Sequence, residues 1–228
     1  EDVNHIKNVL RLGIGEKVEV CDSSSSVNYL CEIVEVDNKC VKCKILDKLD
    51  DSREPNVYLH IFQGLPKAEK MEMIIQKTTE IGVSEITPVV MRRCVVKLDS
   101  KSVAKKVERW QKIAEVAAKQ SKRDKIPQIN LPIDLKNIYK NLENYDIVLV
   151  AYENEENNGI KQILSNVSKK QDLRIAVIIG PEGGIDDSEI SELKSHNIQT
   201  VSLGKRILRT ETAPIVLSSV IMYEFDEM

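Results

Sequence analysis

The sequence has few cysteines, few aromatic residues and no long apolar run. Its five cysteines among 228 residues are an odd number and too sparse for a disulfide scaffold, so a reducing cytoplasm is expected. No apolar run is long enough to cross a bilayer, and the first residues, Glu1–His5, have neither the charged nor the apolar part of a signal peptide. The composition therefore predicts a globular cytoplasmic protein with no membrane partner.

The sequence also lacks the Cys and His clusters of a metal site. Cys40 and Cys43 have the spacing of half a zinc site, but no second pair follows, and none of the three histidines has a partner at ligand spacing. In a strand, Cys40 and Cys43 would point to opposite faces, and Cys43 would share a packed face with Val41 and Ile45. We therefore expect no metal.

Charge is unevenly distributed along the chain. The formal net charge is −3, which by itself argues against a nucleic-acid partner. Between Lys101 and Lys125, however, nine Lys and Arg face only three acidic residues, a local charge of +6. A basic segment on an acidic protein is typical of a phosphate-binding surface.

The pattern of the chain predicts two domains. Residues 16–46 alternate polar and apolar side chains between turn-forming residues, which indicates a small antiparallel β module, predicted to be a barrel. The polar segment Asp47–Pro55 is the expected linker. From Val57 onward strands and helices alternate, which is typical of an α/β domain with a parallel sheet covered on both faces. The predicted domains are residues 1–55 and 56–228.

Three helices of the second domain carry further information. Residues 101–123 form a helix with one apolar stripe that includes Trp110 and one basic stripe that includes Arg109 and Arg123. The basic stripe is either an RNA-binding face or an ordinary solvated face, and Arg92 and Arg93 past a strand end favour RNA.

Asp186 and Glu189 have the spacing of a capping box. The last helix, 212–225, is apolar nearly all round, which predicts burial on two sides: against a second subunit or deep within the chain.

Two glycine-containing loops predict a ligand pocket. A buried strand, 173–179, runs into Gly180–Gly184, and a second loop, Leu203–Ala213, follows the last strand. Glycine lets the backbone approach a ligand more closely than a Cβ would allow. Two such loops at neighbouring strand ends indicate one small-molecule pocket.

The pocket is not that of a phosphate ligand. The helix after the first loop begins with Asp186, Asp187 and Glu189, which already occupy its positive end. The dinucleotide fingerprint and the P-loop are both absent. A cofactor without phosphate is therefore favoured, and S-adenosylmethionine qualifies because its sulfonium tolerates nearby acids.

Four segments together resemble one known family. They are His5–Leu12, Lys70–Val83, the stretch from Arg109 to Pro127, and the two glycine loops. The sequence is similar to the 16S ribosomal RNA uracil-N3 methyltransferases, the RsmE-like branch of the SPOUT superfamily. The resemblance implies a PUA-like RNA-binding β-barrel, here expected to lack its first strand, followed by a SPOUT domain that ends in a trefoil knot.

The resemblance also implies a cofactor site at a homodimer interface. It places S-adenosylmethionine against Ala151, Tyr152, Glu153, Gly180, Pro181, Glu182, Gly183, Gly184, Leu203, Gly204, Ile207, Leu208 and Arg209. The implied activity is methylation of N3 of a specific uridine in the decoding region of 16S rRNA within the 30S subunit. The alternatives are a SPOUT enzyme acting on another rRNA or tRNA position, and a noncatalytic RNA-binding assembly module.

Methylation of uracil N3 requires loss of the imino proton and in-line attack on the cofactor methyl. We expect Arg209 to stabilise negative charge on the base and Glu211 to accept the proton. A capping role at the start of the last helix is the alternative for Glu211. The predicted RNA contacts are Arg11, Arg93, Lys119, Gln120 and Arg123.

Overall fold

The computed structural model describes residues 2–22, 27–49, 52–96 and 100–228. The chain divides into two compact units, Glu1–Glu54 and Pro55–Met228. No helix among the described residues combines the length and the apolar character needed to span a bilayer.

The first unit is helical at its start and then forms a sheet. A short helix, α1 (Asp2–Asn4), leads into a π-helical segment that ends at Arg11, which has a φ of 57°. Three antiparallel strands follow in the order β1-β2-β3; they are β1 (Lys17–Asp22), β2 (Val27–Val36) and β3 (Val41–Leu49). The predicted antiparallel β module is confirmed, although the strands form an open sheet, and not a closed barrel, in the part of this unit that the structure describes.

Two details of the first unit differ from the prediction. Ile45 is 60% exposed, so the packed face expected on β3 extends only to Val41 and Cys43, which are half-buried. The packed residues are instead Cys31 and Ile33 on the central strand β2, which has a neighbour on each side. Strand β3 runs on to Leu49 and takes up the beginning of the expected linker, of which residues 50 and 51 lie outside the described ranges.

The second unit alternates strands and helices as predicted. Its elements are β4 (Tyr58–Gly64), α2 (Ala68–Ile81), β5 (Glu85–Val90), α3 (Ser100–Gln120), β6 (Gln128–Ile129), β7 (Ile133–Asp134), a 3₁₀-helical segment (Leu135–Asn144), β8 (Ile147–Ala151), α4 (Ile160–Ser165), β9 (Arg174–Ile179), α5 (Asp187–Ser195), β10 (Gln199–Val201) and α6 (Thr212–Glu224). Helix α2 ends at Ile81, just before Gly82, whose φ of 109° suits glycine.

The strands form one parallel sheet in the order β10-β8-β9-β4-β5-β6, with β7 also paired to β5. Strands β4 and β9 are buried along nearly their whole length because both faces of the sheet are covered. The predicted α/β architecture is confirmed. The carboxyl ends of β4, β8, β9 and β10 lie at one edge, where the candidate site is found.

Helices α2, α3 and α6 cover the sheet. The apolar stripe of α3 packs as predicted, with Trp110 and Ala114 buried. Helix α6 packs against α2 and buries Leu217 and Ile221, but its opposite side is only half-buried and Tyr223 is 75% exposed. The alternative of a helix buried deep within the chain is therefore wrong. The trefoil knot stays a prediction.

Candidate active site

A cavity of about 340 Å³ lies at the carboxyl edge of the sheet. This volume is in the range of small-molecule pockets. The walls come from the ends of β8 and β9 and from the loop after β10, so both glycine loops contribute to one cavity. All of the predicted cofactor-binding residues except Gly183 line it.

The first glycine loop is held very close to its neighbours. Gly184 has a φ of 71°, and a Cβ added to it would lie 2.6 Å from Glu153 Oε1. Gly64, at the end of β4, lies so close to the loop that its Cβ would meet the Pro181 nitrogen at 2.6 Å. At Gly64 a side chain would push the loop away from the sheet. At Gly184 a side chain would hold the backbone in a strained conformation and displace the end of Glu153, so glycine suits both positions.

Arg93 and the start of α5 anchor the outer side of the first glycine loop. Arg93 Nη1 donates to the Gly183 carbonyl at 3.4 Å, and Nη2 lies 3.3 Å from Asp186 Oδ2. The capping box of Asp186 and Glu189 is present as predicted, and hydrogen bonds from Ser188, together with Arg93, lower the pKa of Asp186. Arg93, predicted to contact RNA, thus also fixes the loop, and Gly183 faces Arg93 rather than the cavity.

A buried hydrogen-bond network joins the bases of the two loops. Gln63 is fully buried, and its Nε2 donates to Thr210 Oγ1 at 3.0 Å and to the Gly64 carbonyl at 3.0 Å. Thr210 Oγ1 in turn donates to the Gly180 carbonyl at 2.7 Å. The second loop is therefore tied to the first through side chains that sit beneath the cavity floor.

Lys70, on α2, lines the cavity and forms ion pairs with both glycine loops. Its Nζ lies 3.0 Å from Glu211 Oε2 and 3.6 Å from Glu182 Oε1. Burial works against ionisation of both carboxyls, but the Lys67 N–H bonded to Glu182 and the ammonium of Lys70 outweigh it, so the pKa of each carboxyl is lowered. The side chain of Glu211 makes no capping hydrogen bond to α6, so the capping alternative for Glu211 is wrong.

Arg209 is placed to meet a ligand. It lines the cavity, its side chain is 82% exposed, and its Nη1 lies 4.0 Å from Glu211 Oε1. A guanidinium in this position can approach a negatively charged group that enters the cavity. The two predicted catalytic residues, Arg209 and Glu211, are therefore neighbours.

The remaining predicted RNA contacts have different surroundings. Arg11 and Gln120 are exposed, and Lys119 forms an exposed ion pair with Glu115 at 3.0 Å. Arg123 differs, because its Nη1 donates to the Thr79 and Val83 carbonyls at 3.1 and 2.6 Å. The predicted helix end at residue 123 is wrong: α3 ends at Gln120, and Lys122 has a φ of 58°. Arg123 therefore lies beyond the basic stripe, and it has a structural role against the end of α2.

Sequence reasoning did not assign roles to Lys70, Gln63 and Thr210. Gln63 offers a signal in retrospect, because it is a polar residue that directly follows the apolar pair Ile61 and Phe62 within a predicted buried strand. Lys70 and Thr210 lie in segments that carry the family resemblance but have no local pattern of their own.

The cavity suits S-adenosylmethionine. Apolar side chains such as Ile179, Leu203 and Leu208 can enclose an adenine ring, and the glycine backbone leaves its polar groups accessible. The carboxylates of Glu153 and Glu182 can lie beside a sulfonium, and the basic lining residues Lys70, Lys205, Arg206 and Arg209 can meet negatively charged groups. Among the described residues there is no group of three or more His, Cys, Asp or Glu that could hold a metal ion.

Family comparisons agree with this site. Residues 53–222 match the model of an RNA methyltransferase domain, and residues 1–46 match that of an RNA methyltransferase PUA domain. The fold and the site thus define an enzyme of the RNA methyltransferase class with an attached PUA domain.

Two similar proteins show which family within this class the chain belongs to. The chain is 38% identical over 228 residues to ribosomal RNA small subunit methyltransferase E of Bacillus subtilis (strain 168), covering 98% of this chain and 88% of that protein. It is 37% identical over 215 residues to the protein of the same name from Mesomycoplasma hyopneumoniae (strain 232), covering 94% of this chain and 88% of the relative. The chain belongs to the ribosomal RNA small subunit methyltransferase E family.

Solved structures show the same fold with a cofactor bound. The ribosomal RNA small subunit methyltransferase E of Neisseria gonorrhoeae, bound to S-adenosyl methionine, has a TM-score of 0.85 and 27% identity over 97% of this chain and 88% of that chain. A Legionella pneumophila protein in complex with the same cofactor has a TM-score of 0.84 and 32% identity over 97% of this chain and 88% of that chain.

Proposed function

We propose that this protein transfers the methyl group of S-adenosylmethionine to N3 of a uridine in the decoding region of 16S rRNA, within the 30S subunit. The observation that carries the proposal is the cavity formed by the two glycine loops, with the exposed Arg209 on its wall. The names of the relatives support the substrate, and the cofactor in two solved relatives supports the methyl donor.

The residues around the cavity have different roles in the reaction. Bound S-adenosylmethionine supplies an electrophilic methyl group. Arg209 stabilises the negative charge that develops on the uracil when N3 loses its proton. Glu211, a carboxylate at neutral pH, accepts that proton and passes it to solvent. The glycine loops exclude water and hold the donor in line with the base.

Basic and polar residues contact the RNA. The contact in the first unit is Arg11, and the contacts in the second unit are Lys119 and Gln120 at the end of α3 and Arg93 beside the glycine loop. The half-buried side of α6 is the interface of a homodimer, which completes the burial of this apolar helix. The enzyme acts in the cytoplasm.

The decisive experiment is methyl transfer to 30S subunits that lack the modification. The purified protein is incubated with labelled S-adenosylmethionine and either 30S subunits or free 16S rRNA, and the nucleosides are identified by mass spectrometry. We expect 3-methyluridine from the 30S subunits. A methylated ribose or another base would show a different target, and a folded protein that binds no S-adenosylmethionine in calorimetry would be a noncatalytic module.

A further inference from the structure

Lys70 is the point where three segments of the second unit meet. Its side chain comes from the first turns of α2, Glu182 comes from the first glycine loop, and Glu211 comes immediately before α6. Its Nζ lies 3.6 Å from Glu182 Oε1 and 3.0 Å from Glu211 Oε2. One ammonium group therefore connects the loop on the cofactor side with the segment that carries Arg209 and Glu211.

The electrostatics make this connection necessary. The side chains of Glu182 and Glu211 are only 20% and 15% exposed, so solvent screens them poorly. Without a cation between them, the two carboxylates would repel each other across a region of low dielectric. Glu182 has a second support from another segment, the Lys67 N–H at 3.0 Å, whereas Glu211 is held by Lys70, by its own backbone N–H and by the more distant Nη1 of Arg209.

We propose that Lys70 is a positioning residue for methyl transfer: its ammonium bridges Glu182 and Glu211 and sets the distance between the cofactor loop and the segment with Arg209 and Glu211. This role rests on the proposed function, because it concerns the alignment of methyl donor and acceptor. It is separate from the Gln63 network, which joins the bases of the loops through neutral hydrogen bonds.

The test compares Lys70→Met with Lys70→Arg. In Lys70→Met, kcat for methyl transfer to 30S subunits should fall about tenfold to a hundredfold because the reacting groups lose alignment. The KM for S-adenosylmethionine should change less than about threefold, because the glycine loop keeps its other supports. Lys70→Arg keeps the charge and should restore kcat to within about threefold of the wild type.

Lys77→Met is the matched control. Lys77 is on the same helix and forms an ion pair with Glu80 at 3.0 Å, but it does not line the cavity. Its kcat should equal that of the wild type. If Lys70→Met is as active as Lys77→Met, or if Lys70→Arg is as defective as Lys70→Met, the proposed bridge is wrong.

Hydrogen exchange gives a second measurement that does not depend on activity. Amides in residues 180–184 and 209–213 should exchange faster in Lys70→Met and in Lys70→Gln than in the wild type or Lys77→Met. Unchanged exchange in both Lys70 variants would overturn the bridge. If the wild type fails to methylate 30S subunits, the proposed function fails, whereas the exchange measurement still decides the role of Lys70.

Discussion

The parallel strands carry polar residues at both of their ends, in contrasting arrangements. We call the side of the sheet with the amino ends of the strands the amino edge and the side with their carboxyl ends the carboxyl edge. At the amino edge the groups bond to one another: His60 lies 2.6 Å from the Tyr145 hydroxyl and 2.8 Å from Thr87 Oγ1, and the Tyr58 hydroxyl donates to Glu85. At the carboxyl edge, glycine loops keep a cavity open and Arg209 is exposed.

This contrast indicates that polar residues at the amino edge stabilise the fold and that those at the carboxyl edge bind a ligand. Groups at the amino edge are buried and paired, so their loss would leave unpaired partners inside the protein. Groups at the carboxyl edge have part of their bonding capacity left for a ligand. We therefore expect substitutions at the amino edge to reduce stability and substitutions at the carboxyl edge to reduce binding or turnover.

The largest effect is expected at the carboxyl edge, from Arg209→Ala. Loss of a group that stabilises developing charge should lower kcat by about a hundredfold to a thousandfold. The affinity for S-adenosylmethionine, measured by calorimetry, and the melting temperature should stay near the wild-type values. Arg109→Ala, which removes an exposed partner of Glu72 away from the cavity, is the control. If Arg209→Ala kept full turnover, the assignment of Arg209 to charge stabilisation would be wrong.

The pH dependence of stability tests the amino edge. Burial, with a contribution from Arg174 and against the attraction of Glu85, lowers the pKa of His60 to about 4. Between pH 6.5 and 4 the unfolded chain binds a proton at His60 that the folded protein does not. The free energy of unfolding should therefore decrease as the pH falls through this window, by roughly 3 kcal/mol in total.

Urea unfolding at several pH values measures this decrease, and His60→Gln serves as its control. Carboxyl groups contribute equally in both proteins, so the difference between the two slopes belongs to His60. Equal slopes would show that His60 titrates normally in the folded protein. Methyl transfer at pH 7 should be unchanged in His60→Gln.

Gly184→Ala should close part of the cavity and weaken cofactor binding by at least about tenfold. The new Cβ would lie 2.6 Å from Glu153 Oε1 at a φ of 71°, which a side chain rarely adopts. Gly15→Ala, in the first unit, is the matched control, because its φ is 89° but nothing lies within 4 Å of the new Cβ. Calorimetry with S-adenosylmethionine should distinguish the two. Equal affinities of the two variants for S-adenosylmethionine would show that the loop shifts to accommodate the new methyl group.

The smallest effect is expected from Arg123→Ala, which should behave like an amino-edge substitution. Its loss leaves the Thr79 and Val83 carbonyls without this donor and should lower the free energy of unfolding by about 1 to 2 kcal/mol. Lys119→Ala should cost less than about 0.5 kcal/mol but reduce the salt slope of RNA binding by about one. A changed salt slope with unchanged stability in Arg123→Ala would reverse this assignment.

The features predictable from the sequence are those with local causes. The capping box depends on residues three apart, and the glycine loops follow directly from buried strands, so both could be located without coordinates. The parallel sheet followed from the alternation of strands and helices. The loops follow β9 and β10, which are separated by β8 and so are not the neighbouring strands that the sequence predicts. The patterns still located the cavity, because all parallel strands have their carboxyl ends on the same side of the sheet.

The features that sequence patterns missed depend on distant partners. Gln63 and Thr210 are 147 residues apart, and Arg123 is 44 residues from Thr79. Periodicity places a side chain on a face of its own helix or strand but does not show what packs against that face. The bridging role of Lys70 and the structural role of Arg123 therefore became visible only in the folded chain.

The strand order also has a consequence for synthesis of the protein. Strand β4 pairs on one side with β5, which follows it closely, but on the other with β9, where Tyr58 meets Arg174. While the chain grows from the ribosome, β4 has one unpaired edge until β9 has been made, and such an edge is prone to aggregation. The cavity forms only after β9 and the loop after β10 have joined the sheet, so the protein can bind the methyl donor only when the chain has been made as far as Ala213.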